Sequence, residues 1–393
     1  MGELMSKKYA VFITVLFCLF LTVFSAAFFL TPDREFSETE NRYLAQLPQL
    51  TVGKLSLPGL LDGGRLIQGG NLFNGEFMAD FETYVNDQFP LRDRWVSLKS
   101  RTERLIGKRE NNGVFFGAQD TLLVKQEEPD MADLEKKLGY LDAMVEKAGV
   151  PVYFSLIPSS AAIWADRLPE NAPTADQKAI IDGLSGGTTA RYYDTYAALA
   201  AHSGEDIYYR TDHHWTTLGA YYGYAALMEA MGLEPTPLSQ YSPTVVSGSF
   251  YGTTYSTSGV RWVPPDTITT YVPEDGVEVT SWFTSQPEEG RLYAPEFLEK
   301  KDKYSYFLGG NQPLCVIKGQ NTDGPKVLIV RDSYADSMAP FLTANCSEVH
   351  LVDLRYNRAP LSSYIRENEI DAAVVLYSLS NFISDSNLFL LGQ

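Results

Sequence analysis

Three short apolar runs in the last part of the chain place the strongest limit on how it folds. They are Lys326–Val330, Glu348–Asp353 and Ala372–Tyr377, and each follows a segment long enough to form a helix. Continuous rather than alternating apolar residues are typical of strands that are buried on both faces. Helices between successive strands allow those strands to run parallel. The pattern therefore predicts a mostly parallel sheet with helices covering both faces.

The middle of the chain repeats this alternation. Asp130–Ala148 has the periodicity of an amphipathic helix, and it precedes the apolar run Val150–Ile157. Ala190–Asp194 is a candidate strand, and Thr217–Met231 is a predicted helix with Thr217 as its N-cap. Residues 243–306 interrupt the alternation and are rich in Thr, Tyr, Ser, Gly and Pro. We interpret this segment as a β-rich insertion beside the functional face of the sheet.

The N-terminal segment carries a membrane signal. Lys7 and Lys8 precede a run from Tyr9 to Leu30 that contains no charged residue. As a helix, this run is long enough to cross the bilayer core, which is about 30 Å thick. The two lysines favour a cytoplasmic N-terminus and therefore an extracytoplasmic body. A cleaved signal peptide, which would release a secreted body, is the alternative, but the small residues Ser25-Ala26-Ala27 run directly into two phenylalanines. We therefore favour an uncleaved single-pass anchor.

These features divide the chain into three parts. Residues 1–31 form the anchor or signal segment, 32–75 a linker rich in glycine, and 76–393 one α/β domain that includes the insertion. A helical pattern begins at Phe77 and ends at Ile106, and Pro90 is expected to bend or break it. A chain of 393 residues that is 45% hydrophobic is long enough for one large core.

Charge and cysteine content exclude several classes of function. The formal net charge is −17, whereas a nucleic-acid-binding protein needs a cationic surface, so we exclude nucleic acid as a partner. The cysteines Cys18, Cys315 and Cys346 include no Cys-x-x-Cys pair, which argues against a zinc ribbon or a thioredoxin-like site. In an exported body, Cys315 and Cys346 are either a disulfide or two buried free thiols, and their spacing does not decide between the two.

A serine directly follows the clearest of the predicted strands, in Val330-Arg331-Asp332-Ser333-Tyr334. Ligands of open α/β sheets gather at the carboxyl ends of strands, and the N–H groups that begin the next helix can stabilise developing negative charge. The flanking residues are not Gly-x-Ser-x-Gly, so this is not the nucleophile elbow of an α/β-hydrolase. Ser333 is a candidate nucleophile, and ordinary polar packing at a strand end is the alternative.

A serine hydroxyl becomes reactive when a base removes its proton, and that base is usually a histidine oriented by a carboxylate. Asp212-His213-His214-Trp215 supplies both groups just before a predicted helix. The Asp-x-His spacing lets Asp212 reach Nδ1 of His214 from the same turn, whereas adjacent side chains are harder to align. We therefore expect His214 to be the base and Asp212 its orienting group. Catalysis through His213, or polar packing without catalysis, remains open.

A metal site is another interpretation of this cluster. Asp212, His213 and His214, with His202 upstream, are ligand types that zinc uses. The side chains of adjacent histidines diverge, however, and rarely converge on one ion. We therefore expect neither a metal nor any other cofactor.

Asp212–Trp215 resembles the signature of the DHHW proteins of Gram-positive bacteria, which are similar to the alginate O-acetylation proteins of the SGNH-hydrolase-like group. The other stretches that resemble motifs of this family are Phe36–Arg42, Asp87–Arg92, Ser249–Thr253, Asp332–Tyr334 and Asp353–Tyr356. These motifs extend over most of the chain in the family's order, which argues against chance similarity.

The resemblance implies an SGNH-like, flavodoxin-like three-layer α/β/α fold in which Asp-x-His precedes the serine, the reverse of ordinary SGNH hydrolases. By motif position, it implies that Asp212 and His214 are the Asp–His pair and that Ser333 is the nucleophile. The usual opening Gly-Asp-Ser is replaced here by Arg331-Asp332-Ser333, which leaves the backbone geometry around the serine open.

Four further residues are weaker candidates for oxyanion or substrate binding. Gly310 and Asn311 resemble the oxyanion-hole glycine and asparagine of the group, and Arg355 resembles a basic residue expected near its site. Tyr334, beside the serine, is the fourth.

These inferences lead to two main hypotheses. The first is an extracytoplasmic, serine-dependent O-acetyltransferase or O-acetylesterase that acts on a cell-surface polysaccharide; the resemblance adds a membrane-embedded acyltransferase as a partner that supplies the acetyl group. The second is a non-catalytic, membrane-anchored polysaccharide-binding or assembly protein, which the aromatic residues of the insertion motivate. A metal-dependent hydrolase is a third.

Overall fold

The computed structural model describes residues 7–55, 67–68, 71 and 74–393. Part of the predicted linker, including Pro58, lies outside these residues. The chain groups into two compact units, Met1–Ile106 and Gly107–Gln393. The division into anchor, linker and α/β domain stays a prediction.

The first unit contains the apolar helix that the sequence predicts. Helix α1 (Lys7–Leu30) is the one helix, among the described residues, that is long and apolar enough to cross a membrane, and none of its residues is buried. It is a candidate membrane anchor or signal. Helices α2 (Glu76–Asp87) and α3 (Arg92–Leu105) are separated at Pro90, as predicted. The strands of this unit are β1 (Phe36–Ser37), β2 (Arg42–Tyr43), β3 (Lys54–Leu55) and β4 (Ile67–Gln68).

The second unit is a mixed α/β structure. Its helices are α4 (Met131–Ala148), α5 (Ser160–Ile163), α6 (Gln177–Ser185), α7 (Thr195–Ala200), α8 (Thr217–Ala230), α9 (Thr253–Ser258), α10 (Tyr334–Leu342), α11 (Leu361–Glu367) and α12 (Leu379–Ser384). Its strands are β5 (Glu110–Asn111), β6 (Val114–Phe116), β7 (Leu122–Val124), β8 (Val152–Ile157), β9 (Arg191–Tyr192), β10 (Thr244–Phe250), β11 (Asp266–Thr270), β12 (Glu278–Trp282), β13 (Glu288–Glu289), β14 (Leu314–Lys318), β15 (Lys326–Arg331), β16 (Glu348–Val352) and β17 (Ala372–Ser378).

The large sheet is mostly parallel, as predicted. Its strand order is β13-β12-β14-β16-β15-β17-β8-β9. The strands from β16 to β9 pair in parallel, whereas β14, β12 and β13 extend one edge in antiparallel pairing. The carboxyl ends of the parallel strands therefore lie along one rim, where functional side chains are expected to gather.

Both faces of the sheet are buried at its central strands. In β15, Val327 and Ile329 belong to one core cluster, and Leu328 and Val330 belong to another. Successive side chains of a strand point to opposite faces, so the two clusters lie on opposite sides of the sheet. The first cluster includes side chains of α8 and α10, and the second includes side chains of α4, α6 and α11.

Helix α8 begins at Thr217, as predicted, but its N-cap lies one residue earlier than predicted. The side chain of Thr216 accepts a hydrogen bond from the Gly219 N–H and caps α8, so the prediction of Thr217 as the N-cap was wrong. Two adjacent threonines offer the same capping group, and tertiary contacts decide between them. The hydroxyl of Thr217 instead donates to the carbonyl of Thr269, 2.6 Å away.

The segment 243–306, which we interpret as an insertion, contains four strands. β10 and β11 form a separate antiparallel pair, and β12 and β13 join the edge of the large sheet. Helix α9 follows β10 and brings Gly252 and Thr253 beside the Asp212 turn. Cys315 and Cys346 are both buried free thiols.

Candidate active site

Ser333 lies where β15 gives way to α10. It is the residue before the first turn of α10, with φ of −62° and ψ of −15°, and it is only partly buried. Within the described part of the chain, no hydrogen-bond acceptor is found for its backbone N–H. The hydroxyl and this N–H thus stand together at the amino end of a nine-residue helix, where a partial positive charge accumulates.

Asp212 and His214 occupy a tight turn that precedes α8. Tyr208 and Trp215 form an antiparallel bridge across this turn, and the Tyr209 N–H donates to the His214 carbonyl over 3.2 Å. The turn brings the Asp212 carboxylate onto the imidazole two residues later. Oδ1 of Asp212 lies 2.5 Å from Nδ1 of His214.

His214 joins this turn to the serine. Its Nε2 lies 2.8 Å from Oγ of Ser333, which is 119 residues further along the chain. Because Asp212 accepts the hydrogen at Nδ1, Nε2 is the acceptor for the Ser333 hydroxyl. The structure therefore brings together the three side chains that the sequence singles out, in the predicted order Asp212–His214–Ser333.

The Asp212 carboxylate is buried but fully engaged. Oδ1 accepts from Nδ1 and from the backbone N–H of His214, and Oδ2 accepts from the N–H and hydroxyl of Thr253 at 2.7 and 3.0 Å. Burial raises the pKa of this carboxyl, but the two neighbouring histidines and the hydrogen bonds outweigh burial and lower the pKa below its usual range. Asp212 is therefore ionised and can stabilise an imidazolium at His214.

Aromatic rings position His214 and the serine-bearing helix. The ring of Tyr304 stacks on His214 with centroids 3.7 Å apart, and its hydroxyl donates either to the Ser333 carbonyl or to Oγ of Ser337. The indole Nε1 of Trp215 lies 2.9 Å from the Tyr334 carbonyl. These contacts tie the Asp212 turn to the first turn of α10.

His213 makes no direct hydrogen bond within the relay that runs from Asp212 through His214 to Ser333. Its Nδ1 lies 2.6 Å from Oγ1 of Thr253, and its side chain is 36% exposed. Burial and the neighbouring His214 lower the pKa of His213 to about 4. His213 is therefore neutral at neutral pH.

Asp332, the residue before Ser333, has a structural role. Asp332 Oδ2 accepts hydrogen bonds from the N–H and hydroxyl of Ser378 and from Nδ2 of Asn381, at 2.7 to 2.8 Å. Its Oδ1 accepts from the Tyr334 N–H at 3.0 Å. Asp332 thereby ties the end of β17 to the start of α10 and holds the backbone on either side of Ser333.

A buried ion pair lies behind the serine. Arg331 is fully buried, and its Nη1 lies 3.0 Å from Oδ1 of Asp336 and 3.9 Å from Oδ2 of Asp353. Asp336 lies on the first turn of α10. Burial raises the pKa of Asp336 to about 7, although the neighbouring Arg331 acts in the opposite direction.

The weaker sequence candidates fall in two places. Tyr334 adjoins the relay: its hydroxyl donates to the His213 carbonyl, and its backbone N–H donates to Asp332. Arg355 is held by Asp353 at 2.6 Å and donates to Oδ1 of Asn311 at 3.2 Å. Within the described residues, no hydrogen bond joins Gly310, Asn311 or Arg355 to Ser333.

Asp212, His213 and His214 also form a group whose ligand atoms lie within 4.8 Å of one another, as a metal site requires. Three of the ring nitrogens are engaged in hydrogen bonds: both nitrogens of His214, and Nδ1 of His213 with Thr253. A metal would have to break part of the relay, so the donor set fits hydrogen-bonded catalysis better than metal binding.

A cleft of about 240 Å³ opens beside His213 and Tyr334. Polar side chains from separate loops and helices line it, including Asn112, Gln126, Ser159, Thr253 and Asn381. The cleft is large enough for part of a sugar, and it combines a mostly apolar lining surface with a few hydroxyl and amide groups.

Sequence reasoning gave no role to Thr253 or Tyr304. Thr253 was part of a matching stretch, Ser249–Thr253, and the glycine before it was the available signal. Tyr304 carried no signal, since it is one of 24 tyrosines.

Comparisons with known proteins agree with the motifs. The family model described as DHHW protein matches residues 141–352, which include Asp212, His214 and Ser333. A probable alginate O-acetylase AlgJ from Pseudomonas syringae pv. tomato is 26% identical over 163 residues, which are 38% of this chain and 41% of that protein. The match thus spans about two fifths of that relative's length.

Solved structures that resemble the chain include a DHHW family protein and PatB1. A DHHW family protein from Eubacterium siraeum is 26% identical with a TM-score of 0.63, and the match covers 72% of this chain and 95% of that one. Bacillus cereus PatB1 with a sulfonyl adduct is 20% identical with a TM-score of 0.59, and the match covers 71% of this chain and 98% of that one. The likeness to PatB1 concerns the fold alone.

Proposed function

The chain belongs to the DHHW protein family, and from this premise we propose that it is a membrane-anchored, extracytoplasmic enzyme that transfers acetyl groups through Ser333 to a cell-surface polysaccharide. The observation that carries the proposal is the unbroken hydrogen-bonded relay from Asp212 through His214 to Ser333. A serine, a histidine and a carboxylate in this geometry are the parts that acyl transfer needs.

In the first half of the reaction, Oγ of Ser333 attacks the carbonyl carbon of an acetyl donor while His214 Nε2 takes the hydroxyl proton. Asp212 stabilises the imidazolium that results. Collapse of the tetrahedral intermediate breaks the bond to the leaving group, which receives the proton from His214. The product is an acetyl ester on Ser333.

In the second half, a hydroxyl of the acceptor attacks the ester carbonyl and gives its proton to His214. The bond from carbon to Ser333 Oγ breaks, and Ser333 recovers its proton. Water in place of the acceptor gives hydrolysis, so the same relay also serves an esterase.

The backbone N–H of Ser333 is the best-placed oxyanion donor. It stands at the amino end of α10, and no acceptor is found for it within the described residues. The Tyr334 N–H is already bonded to Asp332. An oxyanion next to Ser333 therefore meets one free N–H and the positive end of a helix.

The strand order supports an SGNH-like, flavodoxin-like three-layer fold with a permuted chain. When the parallel strands are numbered in the order β15, β16, β17, β8 and β9, they lie across the sheet as 2-1-3-4-5. This is the flavodoxin-like order, and ligands of such sheets bind where the order reverses. That point lies between β15 and β17, and Ser333 directly follows β15.

Different observations support the proposed polysaccharide acceptor and the proposed location of the protein. The similar Pseudomonas protein is named a probable alginate O-acetylase, which supports a hydroxyl-rich polymer as the acceptor. Helix α1, which begins with Lys7 and Lys8, supports a single-pass anchor with the body outside the cytoplasm. An acetyl donor must then reach the outer face, so we propose a membrane-embedded acyltransferase as the partner that supplies it.

The test uses the full chain in detergent micelles with p-nitrophenyl acetate as donor. We expect a burst of nitrophenol, an acetyl group on Ser333 by mass spectrometry, and loss of both in Ser333→Ala and His214→Ala. Equal background release in all three proteins contradicts the proposal. Binding of acidic polysaccharide by a wild-type chain without turnover would instead favour a non-catalytic polysaccharide-binding protein.

A further inference from the structure

The two histidines of the Asp212 turn share one carboxylate through different routes. Asp212 Oδ1 bonds His214 directly, whereas Oδ2 lies 3.0 Å from Oγ1 of Thr253, which in turn lies 2.6 Å from Nδ1 of His213. A threonine hydroxyl has one proton, and an ionised carboxylate only accepts. Thr253 therefore donates to Asp212 and accepts a hydrogen bond from the Nδ1–H of His213.

The position of Asp212 favours the same tautomer. Its Oδ1 lies 3.7 Å from Nδ1 of His213, so its negative charge stabilises a proton on that nitrogen. Since burial and His214 lower the pKa of His213 to about 4, the ring stays neutral. Nε2 of His213 then carries a lone pair and no hydrogen.

This lone pair belongs to a side chain that lines the cleft. The His213 side chain is 36% exposed, and within the described residues Nε2 has no hydrogen-bond partner. The His213 ring centroid lies 3.9 Å from that of His214. The two imidazole rings therefore lie side by side, and His213 is the one of the two that lines the cleft.

We propose that Nε2 of His213 accepts a hydrogen bond from a second hydroxyl of the acceptor, adjacent to the hydroxyl that becomes acetylated, so that the enzyme selects vicinal diols such as saccharides. This inference rests on the proposed function. The attacking hydroxyl has a single proton, and His214 takes it. The hydrogen bond to His213 must therefore come from a different hydroxyl. His213 neither gains nor loses a proton in the transfer, so it is a specificity-determining residue.

The experiment measures acceptor preference with the full chain in detergent micelles and p-nitrophenyl acetate as donor. The acceptors are a vicinal cyclohexanediol and its monomethyl ether, which keeps the ring and one hydroxyl but lacks the second O–H. We expect the wild-type protein to transfer acetyl to the diol about tenfold better than to the ether, the difference that one hydrogen bond produces.

The variants are His213→Phe, which keeps a ring without nitrogen, and His213→Gln, whose amide oxygen can accept. His213→Phe should transfer acetyl to the diol and to the ether equally, with the two acceptors compared within the variant whatever its absolute burst, and His213→Gln should retain part of the preference. His202→Phe is the matched control, because His202 is 37% exposed and bonds Glu205 away from the relay. A His213→Phe enzyme that keeps the full preference overturns the inference.

A second measurement separates this inference from the proposed function. A proton–nitrogen correlation spectrum of the unreacted protein reports which ring nitrogen of His213 carries hydrogen. We expect an unprotonated Nε2 whose resonance shifts when the diol is added, and an Nε2–H or no shift overturns the inference. If the wild-type protein shows no burst, the proposed function fails, and this spectrum alone decides the role of His213.

Discussion

The backbone of Gly252 lies against the carboxylate of Asp212. A Cβ added to Gly252 would lie 2.2 Å from Oδ2 and 2.3 Å from Cβ of Asp212. No side chain tolerates such distances, so the residue before Thr253 must be glycine for Thr253 to donate to Asp212. The orientation of the relay thus depends on a residue in the β-rich insertion, outside the motif that carries the two histidines.

Gly252→Ala should therefore displace Asp212 without changing any side chain of the relay. We expect kcat for acetyl-enzyme formation to fall about a hundredfold or more, because a histidine without its oriented carboxylate loses the right tautomer. The free energy of unfolding should fall by about 1–3 kcal/mol through steric strain. Gly248→Ala is the control, since a Cβ at Gly248 meets nothing within 4 Å. Equal rates in both variants would contradict the prediction.

Tyr304 offers a test of whether stacking or hydrogen bonding positions His214. Tyr304→Phe keeps the ring that stacks on His214 at 3.7 Å but removes the hydroxyl near Ser333 and Ser337. We expect this variant to lose about 1 kcal/mol of stability and little activity. Tyr304→Leu removes the ring, and kcat should fall about tenfold because His214 gains freedom. Chemical denaturation and burst kinetics measure the two effects, and equal activity of the two variants would show that the stack has no such role.

The positions of Asp212, His214 and Ser333 could be predicted from the sequence, because each depends on the geometry of one short segment. Asp212 and His214 are two residues apart before a helix, and that spacing alone limits where the carboxylate can bond. Ser333 follows a continuous apolar run, and a parallel strand places its carboxyl end at the functional rim. Each inference needs only one element and its immediate neighbours.

Residues that reach the site from distant loops could not be found in this way. Thr253 is 41 residues from Asp212, and Tyr304 is 29 residues from Ser333. Their positions depend on how the insertion packs, which no local pattern encodes. The resemblance of Gly310 and Asn311 to oxyanion-hole residues is still a prediction, and the φ of 95° at Gly310 gives this glycine a backbone reason to be present.

Arg331 and Asp336 should be coupled in stability. Arg331→Met leaves the buried Asp336 side chain without its partner at 3.0 Å, and above its raised pKa of about 7, where that side chain is charged, we expect a loss of about 3–5 kcal/mol. The double variant Arg331→Met, Asp336→Asn removes both charges and should recover a large part of that loss. A double-mutant cycle based on urea denaturation measures the coupling. Additive losses would mean that the two charges do not interact, in conflict with the observed distance.

The two groups on the Asp212 turn should respond to pH in different ranges. The pKa of His213 is lowered from 6.5 to about 4 in the folded chain. As pH falls below about 6.5, His213 becomes protonated in the unfolded chain but stays neutral in the folded chain. The free energy of unfolding therefore decreases progressively from about pH 6.5 to about pH 4. The pKa of Asp212 is also lowered, and its contribution is lost at lower pH, as the carboxylate in the unfolded chain protonates near its usual pKa of about 3.9.

His213→Phe should therefore flatten the decline in unfolding free energy between about pH 6.5 and pH 4 and leave the loss below pH 4 in place. Asp212→Asn should leave the decline between about pH 6.5 and pH 4 in place and reduce the loss below pH 4, because it removes the group that titrates at the lower pH. Denaturation curves for both variants over this range, with His202→Phe beside them, measure the difference. A decline from pH 6.5 to 4 that is as steep in His213→Phe as in the wild-type chain would mean that the folded protein protonates His213 readily. The neutral ring, and the free lone pair it presents to the cleft, would then be lost near pH 6.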